Sequence, residues 1–319
     1  MAVPTGRRAS LTIGTRGSQL ALRQSEWVRE QIRAVAPDVH VTLCTIRTTG
    51  DKILDVPLAK IGGKGLFVKE IEEALRAGTI DLAVHSMKDV PAQMPAGLDL
   101  LCVPPREDVR DALISKGGHS LKTLPPRSVV GTASLRRQAQ LLHVRPDLHI
   151  QMLRGNLDTR LRKLKEGGFD AIVLASAGLH RLGWAGAITE YLDPLVSLPA
   201  IGQGALGIQG RKDDTFVRSI LEPLNDAVTW TAVTAERAFL CRLQGGCQVP
   251  IAAHATVSAG RVLLDGLVAS VDGRIVIRDQ IEGPAGEAIA LGTDLAERLL
   301  AKGAEKILRD IYGVADERG

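Results

Sequence analysis

Along the first two thirds of the chain, short β-branched or apolar runs alternate with stretches of helical period. Leu11–Gly14 reads as a strand, followed by Thr15-Arg16-Gly17-Ser18 and a helix from Gln19 to about Val35 that Pro37 closes. Val39–Arg47 alternates as a strand, Ile61-Gly-Gly-Lys-Gly65 reads as a flexible loop, and Leu66 to about Arg76 as a helix. Asp81–Ser86 is a buried strand ending in the polar turn Met87-Lys88-Asp89-Val90-Pro91, and Leu98–Val103 is a further strand stopped by Pro104-Pro105. The alternation then restarts: strand Ser128–Gly131, turn Thr132-Ala133-Ser134, helix Leu135 to about Val144, strand Leu148–Leu153, helix Leu157–Glu166, strand Ala171–Ala175. Such alternation implies parallel α/β sheets. The shared strand, Gly-Thr and Ser, helix signature at residues 14–18 and 131–134 suggests two similar units facing each other.

Residues 201–209 read as a crossing segment, with a helix at about Thr215 to Leu221 after it. The last part changes character. A helix around Ala232–Leu243 precedes strands near Ala252–Val257, Val262–Val271 and Arg274–Ile281, the last two joined at Asp272-Gly273, and a long helix from about Glu287 to Asp310 closes the chain. At ~150 residues per domain, 319 residues allow two domains and a small third.

Composition narrows the function. Only 4 Phe, 3 Trp and 2 Tyr are present, so the core is aliphatic and stacking platforms for single-stranded nucleic acid are scarce. The 4 cysteines lack CxxC spacing, and no Ser-His-Asp arrangement, P-loop or metal-ligand cluster stands out. The N-terminus has no apolar h-region and no run spans a bilayer, so a cytosolic chain with reduced thiols is expected. Net charge is +4, yet residues 131–165 hold eight Lys/Arg against Asp147 and Asp158. A basic field dominated by arginine points to a polyanionic small ligand.

Candidate chemistry sits at the helix starts. Ser18 and Ser134 are placed to cap their helices, and free N–H groups there favour an anion. Arg16, and Arg136 and Arg137 in a first turn, oppose the helix dipole, a conflict that a bound anion would resolve. Asp89, beyond a strand's carboxyl end, is either a turn-forming acid before Pro91 or a carboxylate among cations that stabilises a cationic intermediate. His85 reads as packed. Cys44, Cys102 and Cys241 read as structural, whereas Cys247 lies in the glycine loop Leu243-Gln-Gly-Gly-Cys-Gln-Val-Pro250, open to a bulky partner.

Taken together, these residues resemble the porphobilinogen deaminase (hydroxymethylbilane synthase) family over about residues 11 to 312. The resemblance rests on Thr15-Arg16-Gly17-Ser18, Pro57-Leu-Ala-Lys60, Gly62-Gly-Lys-Gly-Leu-Phe67, His85-Ser-Met-Lys-Asp-Val-Pro91 and Gly131-Thr-Ala-Ser-Leu-Arg-Arg137. It continues in Arg154-Gly-Asn156, Thr159-Arg160, Leu198-Pro-Ala-Ile-Gly-Gln-Gly204, Thr234-Ala-Glu-Arg237 and Gln244 to Ile251. It implies two similar α/β domains resembling type II periplasmic binding proteins plus a small α+β C-terminal domain. The expected division is 1–104 with 203–224, then 105–202 with the anion-binding arginines, then 225–319 with the attachment cysteine.

The resemblance further implies a transferase that joins four porphobilinogen molecules head to tail into the linear tetrapyrrole hydroxymethylbilane and releases ammonia. Its primer is a dipyrromethane held by a thioether, which maps onto Cys247. Carried over by position, Asp89 is the catalytic carboxylate. Ser86, Lys88, Thr132, Ser134, Arg136, Arg137, Arg154, Asn156 and Arg160 hold the cofactor. Arg16, Ser18, Arg154, Arg160, Arg181 and Gln203 hold substrate, and Lys60, Lys64 and Phe67 belong to a mobile loop beside the site. Ala133 departs from members with Ser there, and His180 from those with a base before the arginine. No metal, nucleic acid or membrane is implied, and the protein is expected to be a cytoplasmic monomer whose product passes to the next enzyme of tetrapyrrole synthesis. A carboxylate-binding solute receptor without catalysis is the alternative, but it has no need of Cys247.

Overall fold

Strand β1 (Ser10–Thr15) lies between β2 (His40–Thr45) and β3 (Leu82–Ser86), parallel to both. Between β1 and β2 runs α1 (Gln19–Val35), whose buried positions Ala21, Gln24, Ser25, Val28 and Ile32 recur at helical spacing and form one face. The computed structural model describes residues 10–52, 68–244 and 249–316. Helices α2 (Thr49–Lys52) and α3 (Lys69–Arg76) precede β3, and β4 (Leu98–Cys102) follows it.

The chain then crosses to a second sheet. It holds β5 (Asp111–Ser115), β6 (Val129–Gly131), β7 (His149–Gln151), β8 (Ala171–Ala175) and β9 (Glu190–Leu192). Helix α4 (Leu135–Val144) joins β6 to β7, α5 (Leu157–Glu166) joins β7 to β8, and α6 (Ser176–Arg181) follows β8. The chain returns as β10 (Leu206–Arg211) and α7 (Thr215–Leu221).

Among the described residues the strand orders are β2-β1-β3-β10-β4 and β7-β6-β8-β5-β9, the same arrangement twice. In each sheet the strand that arrives from the other unit runs antiparallel: β10 against β3 and β4, β5 against β8 and β9. Each sheet, expected to be parallel from the alternation, is therefore mixed. The crossing segment expected over 201–209 ends earlier, because Leu206 onward is a buried sheet strand. Matching details run deeper. Asp81 accepts from Thr12 N at 2.8 Å and Asp170 from Val129 N at 2.7 Å, so a carboxylate ahead of β3 pins β1 and one ahead of β8 pins β6, the matching pair of the second unit.

The third unit packs α8 (Ala227–Arg242) and α9 (Ala288–Leu299) on an antiparallel sheet of β11 (Ile251–Ser258), β12 (Arg261–Ala269) and β13 (Val276–Pro284). Phe239, Leu264, Leu295 and Leu299 are among its fully buried residues. Asp226 caps α8 through Thr229 N at 2.7 Å, so this helix starts five residues before the expected Ala232. The single long terminal helix is also corrected: Gly303, at φ +105°, separates α9 from α10 (Glu305–Asp316). No helix among the described residues is long and apolar enough to cross a membrane.

The crossings 103–110 and 193–205 touch one another. A Cβ on Gly204 (φ +88°) would stand 2.3 Å from the Glu107 carbonyl oxygen, so only glycine admits this approach. The fully buried Glu236 of α8 grips both crossings: it pairs with Arg106 at 2.6 Å and accepts from Gly202 N at 2.7 Å, and also from Ala255 N at 2.8 Å in β11.

Candidate active site

The carboxyl ends of β1, β3 and β8 and the starts of α1, α5 and α6 surround a cleft of about 810 Å³ between the two α/β units. Its described lining includes eight cations, Arg16, Arg47, Lys88, Arg137, Arg154, Arg160, Lys163 and Arg181, against two carboxylates, Asp89 and Asp158. A cavity so lined stabilises a polyanion.

From the first unit, β3 ends in a 3-10 turn, Met87–Asp89, that buries Met87 and turns the half-buried Lys88 and Asp89 into the cleft. Burial, and Arg137 nearby, lower the Lys88 ammonium to about 8, with Asp89 opposing the shift. Ser86 accepts from the Gln24 amide at 3.1 Å. Ser18 caps α1 through Ala21 N at 3.3 Å and also borders the cleft. His85 is packed, as its strand position implies: it pairs with Gln209 at 3.0 Å, and burial holds its pKa down to about 4.

From the second unit come Arg154, Asn156, Arg160 and Arg181. Arg160 Nε donates to Gly155 O at 2.7 Å, and Arg181 Nη2 to Gly204 O at 2.6 Å. Burial lowers both guanidinium groups to about 10, and for Arg160 the nearby Arg137 adds to the shift. A ligand carboxylate would relieve that desolvation.

Arg136, expected from the resemblance to hold the cofactor, does not border the cleft in this structure. Arg136 is 4% exposed, lies off the lining, and directs its guanidinium to Asp111 at 2.8 Å and to Leu198 O at 2.6 Å. Arg137 borders the cleft but also pairs with Asp111, at 2.8 Å. The conflict with the helix dipole is thus resolved from inside by an acid on β5, whose carboxyl both arginines hold far below the usual range against a strong burial effect. Gln203, fully buried, donates to Asp111 at 2.9 Å and accepts from Lys88 Nζ at 3.5 Å, so it reaches the cleft only through Lys88. Thr132 accepts from Ser134 N at 3.1 Å, and Ser134 caps α4 through Arg137 N at 3.4 Å; neither lines the cleft, though Ala133 between them does.

Cys247, Lys60, Lys64 and Phe67 lie outside the described residues. Cys102 is buried as expected, but Cys241 is exposed, because α8 turns Phe239 and Leu243 rather than Cys241 to the core. Sequence reasoning missed Asp111 and Glu236, and gave no role to Arg47 or Lys163. The surplus of arginine over acid after Gly131 was the available signal that a buried acid had to come from elsewhere.

A family model described as the dipyromethane cofactor binding domain of porphobilinogen deaminase matches residues 11–219, and one for the C-terminal domain matches residues 230–301. The porphobilinogen deaminase of Syntrophotalea carbinolica is 60% identical over 300 residues, covering 94% of this chain and 95% of that one. That of Geobacter sulfurreducens is 55% identical over 302 residues, covering 95% of each. Among solved structures, a periplasmic binding protein of Salmonella typhimurium with high arginine specificity is similar at a TM-score of 0.41 and 15% identity, over 69% of this chain and 93% of that one. With domain models across both parts of the chain and relatives above half identity over nearly its full length, the chain belongs to the porphobilinogen deaminase family.

Proposed function

We propose that this chain is a transferase that joins four porphobilinogen molecules head to tail into hydroxymethylbilane and releases ammonia. One observation carries the reading: the interdomain cleft sets eight cations around the single turn that presents Asp89. A substrate with two carboxylates per pyrrole suits such a lining, and its product multiplies them.

The residues also fit a dipyrromethane. The cleft is large and cationic, and Lys88, Arg160 and Arg181 carry lowered pKa values that an anion would restore. Ser86, Lys88, Arg137, Arg154, Asn156 and Arg160 would hold its acid side arms, with Cys247 as the thioether anchor. When bound, this group supplies the pyrrole carbon to which the first substrate is joined. Arg16, Ser18 and Arg181 would hold the incoming porphobilinogen, with Arg154 and Arg160 shared. Thr132, Ser134, Arg136 and Gln203 shape this shell from behind.

Asp89 does the electrostatic work. Loss of the substrate's aminomethyl nitrogen leaves a cationic azafulvenium, and a fixed carboxylate beside it stabilises the charge and accepts the pyrrole N–H. Lys88 keeps the ammonium charge that pairs a ligand carboxylate at neutral pH. The working unit is a cytoplasmic monomer divided at 1–104 with 203–224, 105–202 and 225–319, and its product passes to the next enzyme of tetrapyrrole synthesis.

Asp89→Asn keeps shape and removes charge. Turnover of porphobilinogen is expected to fall at least about 100-fold, while intact mass still shows a two-pyrrole adduct on the chain and none on Cys247→Ala. Near-normal turnover in the asparagine variant would refute the catalytic role.

A further inference from the structure

The Met87–Asp89 turn is held from three sides. Met87 N donates to Ala205 O at 3.0 Å. The Met87 side chain lies so close to Gly202 and Gly207 that a Cβ on either would approach it to 2.5 and 2.9 Å. On the third side stands Arg237 of α8, in the C-terminal unit. Its Nη2 donates to Pro91 O at 2.7 Å and Ala92 O at 3.0 Å, and its Nη1 to Val90 O at 3.4 Å. One guanidinium therefore collects three successive carbonyls immediately after Asp89. Pro91 interrupts the N–H groups that could otherwise tie this stretch to a neighbouring strand. A planar fork of five donors suits such a set, and lysine's point charge does not.

We propose that Arg237 is a positioning residue for Asp89: its clasp on the carbonyls of residues 90–92 fixes where the Asp89 carboxylate stands in the cleft. The adjacent Glu236 grips both interdomain crossings, so one turn of α8 registers the walls of the cleft and its catalytic turn together. This inference rests on Asp89 being the catalytic carboxylate.

The test is a double-mutant cycle of Arg237→Ala and Arg237→Lys, each in the wild-type and Asp89→Asn backgrounds, on holoenzyme with its adduct confirmed by mass. In the wild-type background kcat is expected to drop about 10–100-fold with KM within about threefold, as for a carboxylate displaced by about an ångström. In the Asp89→Asn background the same substitutions should cost less than about twofold, because the group they position is already disabled. Equal losses in both backgrounds, or a loss in KM alone, would overturn the positioning role. If Asp89→Asn by itself turns over normally, the catalytic reading fails instead, and the two failures are distinct. Arg237→Lys decides the matter should the alanine variant not accumulate as folded protein.

Discussion

The two α/β units share a sheet order, a serine-capped helix after the matching strands β1 and β6 and a pinning aspartate ahead of β3 and β8, yet they treat their arginines differently. The difference begins at the helix starts, where Arg136 and Arg137 of α4 stand at the positions that Leu20 and Ala21 hold in α1, and continues at the strand edge beneath them. The strand arriving from the other unit begins at Asp111 in the second sheet, opposite Ala175, and at Leu206 in the first, opposite Ser86. Asp111 is fully buried and draws Arg136 and Arg137 inward; Leu206, 4% exposed, offers no charge, and the first unit's Arg16 borders the cleft. A repeated scaffold thus yields one wall whose two helix-start arginines share a single buried carboxylate and one whose arginine borders the ligand space. The second wall takes most of its ligand-facing cations from Arg154, Arg160, Lys163 and Arg181, with Arg137 at its border.

The largest test of that contrast is Asp111→Asn. It leaves two guanidinium groups facing an amide in a buried site, and stability should fall by about 3–5 kcal/mol, read as the shift in urea midpoint of the cofactor-free chain. An effect within about 1 kcal/mol, with cofactor uptake lost instead, would mean that Arg136 serves the ligand along with Arg137 and that the two walls are alike.

Much of the scaffold was legible. The cap serines, the Pro37 stop and the boundaries of α1, α4 and α5 follow from local chemistry that tertiary context did not override. A stronger repeat went unread: Val35-Ala-Pro-Asp-Val-His-Val41 matches Val144-Arg-Pro-Asp-Leu-His-Ile150, each closing a helix and opening a strand. The antiparallel strands were not legible, because a five- or six-residue apolar run carries no sign of direction, and β5 follows directly on an irregular crossing. For the same reason the partner of Arg136 and Arg137 stayed hidden. Asp111 is 25 residues from the nearer of them, and its pairing is a product of sheet order. The cleft residues were easier, since Lys88, Asp89, Arg154 and Arg160 sit in polar turns or helix starts next to readable strands and helices.

The walls should also differ in their response to pH. On the first, Lys88 titrates near 8 in place of 10.5; on the second, Arg160 and Arg181 stay charged to about 10. An anion docking on Lys88 favours its protonated form. Affinity is therefore flat below pH 8 and falls above it by up to about tenfold per unit, or about 1.4 kcal/mol. Calorimetry of the cofactor-free chain with an inert dipyrrole tetracarboxylate should show proton uptake near pH 8.5 to 9. Lys88→Arg should abolish both the uptake and the alkaline loss, because a guanidinium remains charged there. An unchanged alkaline limb in that variant would assign the titration to another group.

The smallest contrast lies in the caps. Ser18 and Ser134 each accept one helix-start N–H, at 3.3 and 3.4 Å, so alanine at either should cost about 1 kcal/mol in a urea titration. The first turn of α1 carries no charge, whereas α4 begins with two arginines that both pair with Asp111. If Asp111 fixes those arginines independently of the cap, the two costs agree within about 0.5 kcal/mol, and Ser134→Ala combined with Asp111→Asn is additive. Only Ser18→Ala should also weaken tetracarboxylate binding, because Ser18 borders the cleft and Ser134 does not. A Ser134→Ala cost of about 2 kcal/mol or more, reduced in the Asp111→Asn background, would show the cap and the buried acid acting as one device, with the dipole conflict of α4 only partly relieved by Asp111 alone.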